Sequence, residues 1–198
     1  MTPERKERLL SVLNKRQENI TVVLENVFDP HNISAVMRTC DAIGMQDIYV
    51  LNTKIPKHKK FGPRSSSSAA KWLSIHHYDK AEDCFNDLRM KYKKILTTHL
   101  STDATSLYEV DFTESVALVF GNEHYGVSEE IISLADGNMI IPQVGIIRSL
   151  NISVACAVTL YEAMRQKIIA GQYKNRQLQP QRFDQMLDAW GFLEDDKI

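Results

Sequence analysis

The sequence predicts an α/β protein with a mainly parallel sheet flanked by helices, and three stretches carry that expectation. Ile20 to Leu51 reads as strand, helix, strand, the unit whose two strands run parallel across a right-handed crossover. Val116 to Phe120, VALVF, is the clearest buried strand and passes straight into the turn GNEHYGVS. Asn138 to Met164, NMIIPQVGIIRSLNISVACAVTLYEAM, reads as a short buried strand, a tight connection and a long helix.

Taken in order, residues 4 to 16 form a helix with Leu9, Leu10, Val12 and Leu13 apolar and Arg5, Arg8 and Arg16 near one flank. ITVVLE, Ile20 to Glu25, has the β-branched enrichment of a buried strand, and Asn26 to Pro30 breaks it. In the helix that follows, Asn32 is the expected N-cap, and Ile33, Val36, Met37, Cys40 and Ile43 share one face. Gly44 stops it. Ser34, Arg38 and Asp41 lie at i, i+4 and i+7 on another face. After the strand Asp47 to Leu51 come seventeen residues, NTKIPKHKKFGPRSSSS, rich in Pro, Gly, Ser and Lys. A structureless stretch of that length inside a compact domain points to function. Lys80 to Tyr92 is the next helix and Ile95 to Leu100 a strand whose end turns polar at Thr97, Thr98 and His99. Gly121 and Gly126 bracket a turn, and Ser128, Glu129 and Glu130 open a helix. Met139 to Ile141 is a strand that Pro142 ends, and the final core helix is expected from near Ser149, with small and apolar residues at 152, 155, 156, 159, 160 and 163.

Composition narrows the class. At 198 residues, 43% hydrophobic and 25% charged, the chain has the make-up of one globular domain with terminal additions. No apolar run approaches the ~20 residues of a membrane span, and the charged N-terminus lacks a signal peptide's apolar segment, so a cytoplasmic protein is expected. Cys40, Cys84 and Cys156 never form a CxxC, and the adjacent His76 and His77 point apart in a strand. Neither a disulfide framework nor a metal site is suggested. The net charge of −1 hides an uneven distribution. Arg5, Arg8 and Arg16 crowd the first helix and Lys59, Lys60 and Arg64 the long loop, patches able to contact phosphates although the whole is balanced.

Ligands of parallel α/β sheets bind beyond the carboxyl ends of the strands, which gathers His99, Gly121 and Pro142 into one crevice. A GxGxxG dinucleotide fingerprint is absent, and so is a P-loop. The free NH groups near Ser149, Leu150 and Asn151 suit an anion or a polar ligand.

Three blocks in order, ENVFDPHNISAVMRTCDAIG, ALVFGNEHYGVSEE and IIPQVGIIRSLNISVACAV, resemble the three motifs of the SPOUT superfamily of RNA methyltransferases. More narrowly, they are similar to the TrmH family of tRNA guanosine 2′-O-methyltransferases, over about Arg5 to Gln166. The resemblance implies a C-terminal deep trefoil knot within a SPOUT domain at 19–168, a basic N-terminal helix at 1–18 and a helical tail at 169–198. It assigns Asn32 and Arg38 to the first motif, Glu123 to the second, and Ser149 and Asn151 to the third, with Arg38 catalytic. S-adenosyl-L-methionine would lie bent in the knot against backbone around Thr98, His99, Leu100, Gly121, Ile141 and Leu150. A homodimer follows, in which Arg38 serves the partner's cofactor. The implied substrate is tRNA, at the D-loop guanosine of position 18. The alternatives are the same chemistry on ribosomal RNA and a non-catalytic RNA-binding protein on the same fold. Gln143 and Arg148 depart from the family pattern, and Arg148 adds a charge beside the cofactor loop.

The implied reaction is an in-line attack of a ribose 2′-oxygen on a sulfonium methyl. An arginine of pKa ~13 is neutral in about one molecule per million at pH 7, a cost near 8 kcal/mol. Arg38 is therefore better suited to holding a flanking phosphate and polarising the hydroxyl than to acting as a free base. Asn151, whose amide donates and accepts at once, is expected to tie its turn to the Asn32 to Arg38 segment.

Overall fold

The computed structural model describes residues 1–58 and 69–192. Among these residues, seven strands form one parallel sheet in the order β3-β2-β1-β6-β4-β7-β5. They are β1 (Ile20–Glu25), β2 (Asp47–Leu51), β3 (Ser74–Tyr78), β4 (Lys94–Thr98), β5 (Thr105–Ser106), β6 (Val116–Phe120) and β7 (Gly137–Ile140). The central strands β1, β2 and β6 are buried at every residue, because helices cover both faces of a parallel sheet. The edge strands read differently. β3, SIHHY, is mostly half-buried and holds His76 and His77 in a strand as expected, while β5 has two residues, offers no apolar run and was not legible as a strand.

Among the described residues, six α-helices pack around the sheet: α1 (Pro3–Leu13), α2 (Pro30–Ala42), α3 (Ala81–Lys91), α4 (Glu129–Leu134), α5 (Ile152–Ile169) and α6 (Pro180–Ala189). On one face, Ile33, Met37 and Cys40 of α2 and Cys156, Leu160 and Ala163 of α5 close over Val22, Leu24 and Leu118. On the other, Cys84, Phe85 and Leu88 of α3 and Ile131 of α4 cover Val23, Ala117 and Val119. β7, last in the chain, enters between β4 and β5, two strands laid down earlier, and α5 then returns to pack beside α2. A third cluster joins the ends of the chain, Leu9 and Leu13 of α1 with Phe183, Leu187 and Trp190.

Four expectations are corrected. The first helix ends at Leu13 rather than residue 16, and Arg16 turns inward instead of facing phosphates. Its Nη1 donates to the Met45 carbonyl at 2.8 Å, its Nη2 meets Asp41 at 2.6 Å, and its guanidinium lies 5.3 Å from the Trp190 ring centre. Burial lowers its pKa, and the Asp41 carboxylate opposes that. Arg16 is thus a buried tie between the N-terminal arm, α2 and the C-terminal tail. α2 is capped by Asp29, whose side chain accepts from His31 N at 2.8 Å, so Asn32 is inside the helix and free for other work. Pro30 occupies the first turn, where a missing NH costs nothing. α5 starts at Ile152 with Asn151 as its N-cap, so Ser149 and Leu150 precede the helix.

Candidate active site

Three neighbouring strands end at one level. Thr97 pairs with Val119 and Thr98 with Met139, so the next residues, His99, Gly121 and Ile141, emerge side by side from β4, β6 and β7. The chain from Ile141 to Leu150 carries no helix or strand, and it runs exposed from Pro142 onward. Leu100 and Leu150 stand partly exposed beside it, while Ile141 is half-buried. An irregular backbone next to apolar side chains and small residues can give an adenosine both amide partners and a surface to lie against. The residues expected around S-adenosyl-L-methionine, Thr98, His99, Leu100, Gly121, Ile141 and Leu150, therefore fit such a group.

These strand ends are braced by side chains the sequence did not single out. Asn138, at the start of β7, accepts from His99 N at 2.8 Å and donates to the His99 carbonyl and to Ser101 Oγ at 2.9 Å. It fixes the exit of β4 against β7. Its one signal in the sequence is a polar side chain opening an apolar run. Gly121 is required by a close approach, since a Cβ there would sit 2.1 Å from the Gly126 carbonyl carbon. Gly126 itself has φ +69°, in the region that favours glycine.

Glu123, at the tip of that turn, is the hub of the expected catalytic set. Its Oε1 accepts from Asn32 Nδ2 at 3.0 Å and from Asp29 N at 3.2 Å, and its Oε2 accepts from Phe28 N at 3.1 Å. Partial burial pushes this carboxyl up, but the bonds from Asn32, Phe28 and Asp29 outweigh burial and hold it below the usual range. Glu123 is thus ionised and locks the 28–32 segment. From Asn32 the chain of bonds continues, because Asn151 Nδ2 donates to Asn32 Oδ1 at 3.2 Å. Asn151 Oδ1 in turn accepts from Ser153 N at 2.8 Å and Ser153 Oγ at 2.6 Å. Residues 91 and 119 positions apart meet in one polar chain, Glu123–Asn32–Asn151.

Ser149 is exposed on the loop before the cap. Arg38 is exposed on α2, six residues beyond Asn32, which places it roughly 9 Å along the axis and about 120° around it. Arg5 and Arg8 are exposed on α1. Lys59, Lys60 and Arg64 lie outside the described residues.

Comparison with known proteins follows the same outline. Residues 19–161 match the model of the SpoU rRNA Methylase family. The tRNA (guanosine(18)-2′-O)-methyltransferase of Thermus thermophilus is 39% identical over 191 residues, 96% of each chain. The crystal structure of the Aquifex aeolicus TrmH/SpoU tRNA modifying enzyme superposes with a TM-score of 0.88 at 36% identity, covering 98% of both chains. The Streptomyces viridochromogenes SpoU methyltransferase AviRb, in complex with S-adenosylmethionine (AdoMet), gives a TM-score of 0.69 at 25% identity, over 79% of this chain and 62% of that one. With the matched region spanning the whole sheet and every motif residue described above, the chain belongs to the SpoU methylase family.

Proposed function

We propose that this protein is an S-adenosylmethionine-dependent tRNA (guanosine-2′-O-)methyltransferase that modifies the ribose of guanosine 18. The observation that carries this reading is the Glu123–Asn32–Asn151 chain beside the three strand ends, in a protein similar over nearly its full length to enzymes of that name. Bound S-adenosylmethionine supplies an electrophilic methyl group on a sulfonium. The protein supplies position and charge. Thr98 to Leu100, Gly121, Ile141 and Leu150 hold the donor at the strand ends, and Asn138 keeps those ends from spreading. Glu123 and Asn151 fix Asn32 from both sides, so the start of α2 is set before RNA arrives. Arg38 holds the phosphate flanking the target nucleotide and polarises its 2′-hydroxyl, whose proton passes to phosphate or water. Holding nucleophile and methyl group in line can supply several kcal/mol, up to ~7 to 11 in ideal intramolecular models. Incubation with total tRNA and S-adenosylmethionine, followed by nucleoside analysis, should give 2′-O-methylguanosine and no other new nucleoside. A product elsewhere than position 18, or none, would overturn the assignment.

The active unit in this reading is a homodimer. Val154, Val158, Tyr161 and Ile168 form a stripe on α5 opposite its packed face, and all four are more than a third exposed. Arg38 leaves α2 about 120° around the helix from Asn32, on a different side of it. A second copy seated on the stripe covers the apolar surface and brings its Arg38 to the first protomer's crevice. Val158→Asp places a charge in that contact, and sedimentation should then show a monomer that is inactive but folded. An unchanged dimer would move the interface elsewhere.

The N-terminal arm contacts the RNA backbone through Arg5 and Arg8 but not through Arg16, which is buried. The double change Arg5→Ala and Arg8→Ala should therefore weaken tRNA binding and flatten its logarithmic salt slope by roughly 1.5 to 2 units. Deleting the whole arm is the poorer test, because it removes Leu9, Leu13 and Arg16 from beneath Trp190 and unfolds the tail.

A further inference from the structure

A cavity lies beside the turn that follows β6. The turn from Gly121 to Gly126 starts at the end of β6, beside β4, and presents Asn122, Tyr125 and Gly126 to a cavity of about 520 Å³ beyond β1 and β6. That volume is within the range of small-molecule sites. Glu25 and Asn26 at the end of β1 line it, together with Lys54 and the first α4 residues Glu129 and Glu130.

The cavity is built rather than incidental. Asn26 has φ +49°, the one non-glycine residue with positive φ among the described residues, and that strain is retained by the bonds its side chain makes. Its Oδ1 accepts from Lys54 N at 2.9 Å and its Nδ2 donates to Thr53 Oγ1 at 3.0 Å, while its carbonyl takes Asn122 Nδ2 at 2.7 Å. Asn122 Oδ1 also accepts from His124 N at 2.8 Å and Tyr125 N at 3.2 Å. The backbone of Tyr125 is thereby pinned, yet its ring is 90% exposed. An aromatic face on a fixed backbone, left in water beside a cavity, has the form of a stacking platform.

We propose that this cavity receives the guanine base of the target nucleotide and sets the base preference of the reaction. The inference rests on the methyltransferase reading above and deepens it. Guanine offers two distinct edges, and the lining matches both. Its N1–H and N2–H₂ groups are adjacent donors that suit the carboxylate of Glu129 or Glu130, while O6 and N7 are acceptors that suit the Lys54 ammonium. Adenine presents a ring-nitrogen acceptor where guanine presents N1–H, so it would face a carboxylate with two acceptors opposed. Tyr125 stacks on either purine and gives affinity without choice. Because the turn that lines this cavity begins at Gly121, the β6 strand end proposed to hold the donor, a base seated here leaves its ribose close to the donor.

Three variants and two readouts test this. Tyr125→Ala should lower kcat/KM on tRNA roughly 10- to 100-fold through KM, the loss of one stacked base, with S-adenosylmethionine affinity unchanged. Glu129→Gln and Glu130→Gln, singly and together, should leave the folded protein intact and narrow its discrimination between transcripts carrying guanosine or adenosine at position 18 at least tenfold. Independently of turnover, guanosine 5′-monophosphate should bind the wild-type protein more tightly than adenosine 5′-monophosphate, and that difference should vanish in the double variant. If wild type methylates guanosine 18 while all three variants keep its KM, discrimination and nucleotide preference, the cavity is not the base site. If wild type modifies no tRNA but still prefers guanosine 5′-monophosphate at Tyr125, the methyltransferase reading fails and the base site stands.

Discussion

Arg38→Ala is expected to lower kcat by about 10² to 10³ or more, the scale of removing one preorganised charge-stabilising donor, while the melting temperature and S-adenosylmethionine affinity stay those of wild type. The side chain is exposed and lies off the apolar face of α2, so the core that Ile33, Met37 and Cys40 make with α5 does not depend on it. An unfolded variant would show a structural arginine instead. Arg38→Lys separates two roles. Lysine keeps the charge but not the planar fork, so it can neutralise a phosphate and cannot hold phosphate and hydroxyl together. If Arg38 orients both, Arg38→Lys should remain near the alanine variant and its rate should be flat in pH between 7 and 9. A rate that climbs with pH and approaches wild type would assign Arg38 to proton removal.

Asn151→Asp is the second large effect, and it divides two functions that one side chain performs. As N-cap of α5, Asn151 accepts from Ser153 through Oδ1, which aspartate does equally well, so the melting temperature should shift by no more than a few degrees. As a member of the polar chain it donates from Nδ2 to Asn32 Oδ1, which aspartate cannot do. Asn32 cannot turn its amide to compensate, because its own Nδ2 is held by the ionised Glu123. The variant sets a carboxylate against an oxygen, loosens the start of α2, and should lose about 10- to 100-fold in kcat/KM, the equivalent of one charge-opposed hydrogen bond of ~1.5 to 3 kcal/mol. S-adenosylmethionine affinity falls as well if the new charge faces the donor's carboxylate. Wild-type turnover in this variant would reduce Asn151 to a cap. Asn151→Ala serves as the reference, losing both functions and therefore stability as well as rate.

Much of this was legible in the amino-acid order, and the reason is local. The central strands β1, β2 and β6 are buried on both faces, and so they are written as continuous apolar runs that no neighbouring residue can disguise. The helices α2, α3 and α5 repeat their apolar residues at the helical period, and the glycine-bracketed turn after Phe120 announces itself. The parallel α/β class follows from those features alone. The motif order identified the family, and it pointed to Asn32, Glu123 and Asn151, which the fold joins in one hydrogen-bonded chain.

What only the tertiary structure decided concerns side chains whose partners are far away along the chain. Arg16 looked like one more cation on a basic helix, and became a buried tie because Asp41, Met45 and Trp190 converge on it from three other segments. Asn32 looked like a cap, and Asp29 took that task while Glu123 and Asn151 took Asn32. Asn138, Asn122 and Asn26, which brace the strand ends and the cavity, carry no period and no motif spacing by which to be noticed. Periodicity reports which face of an element meets the core, since that choice is made by burial and repeats every turn or every second residue. A hydrogen bond between residues 119 positions apart is decided by where the sheet order brings two loops together, and that is a property of the folded chain.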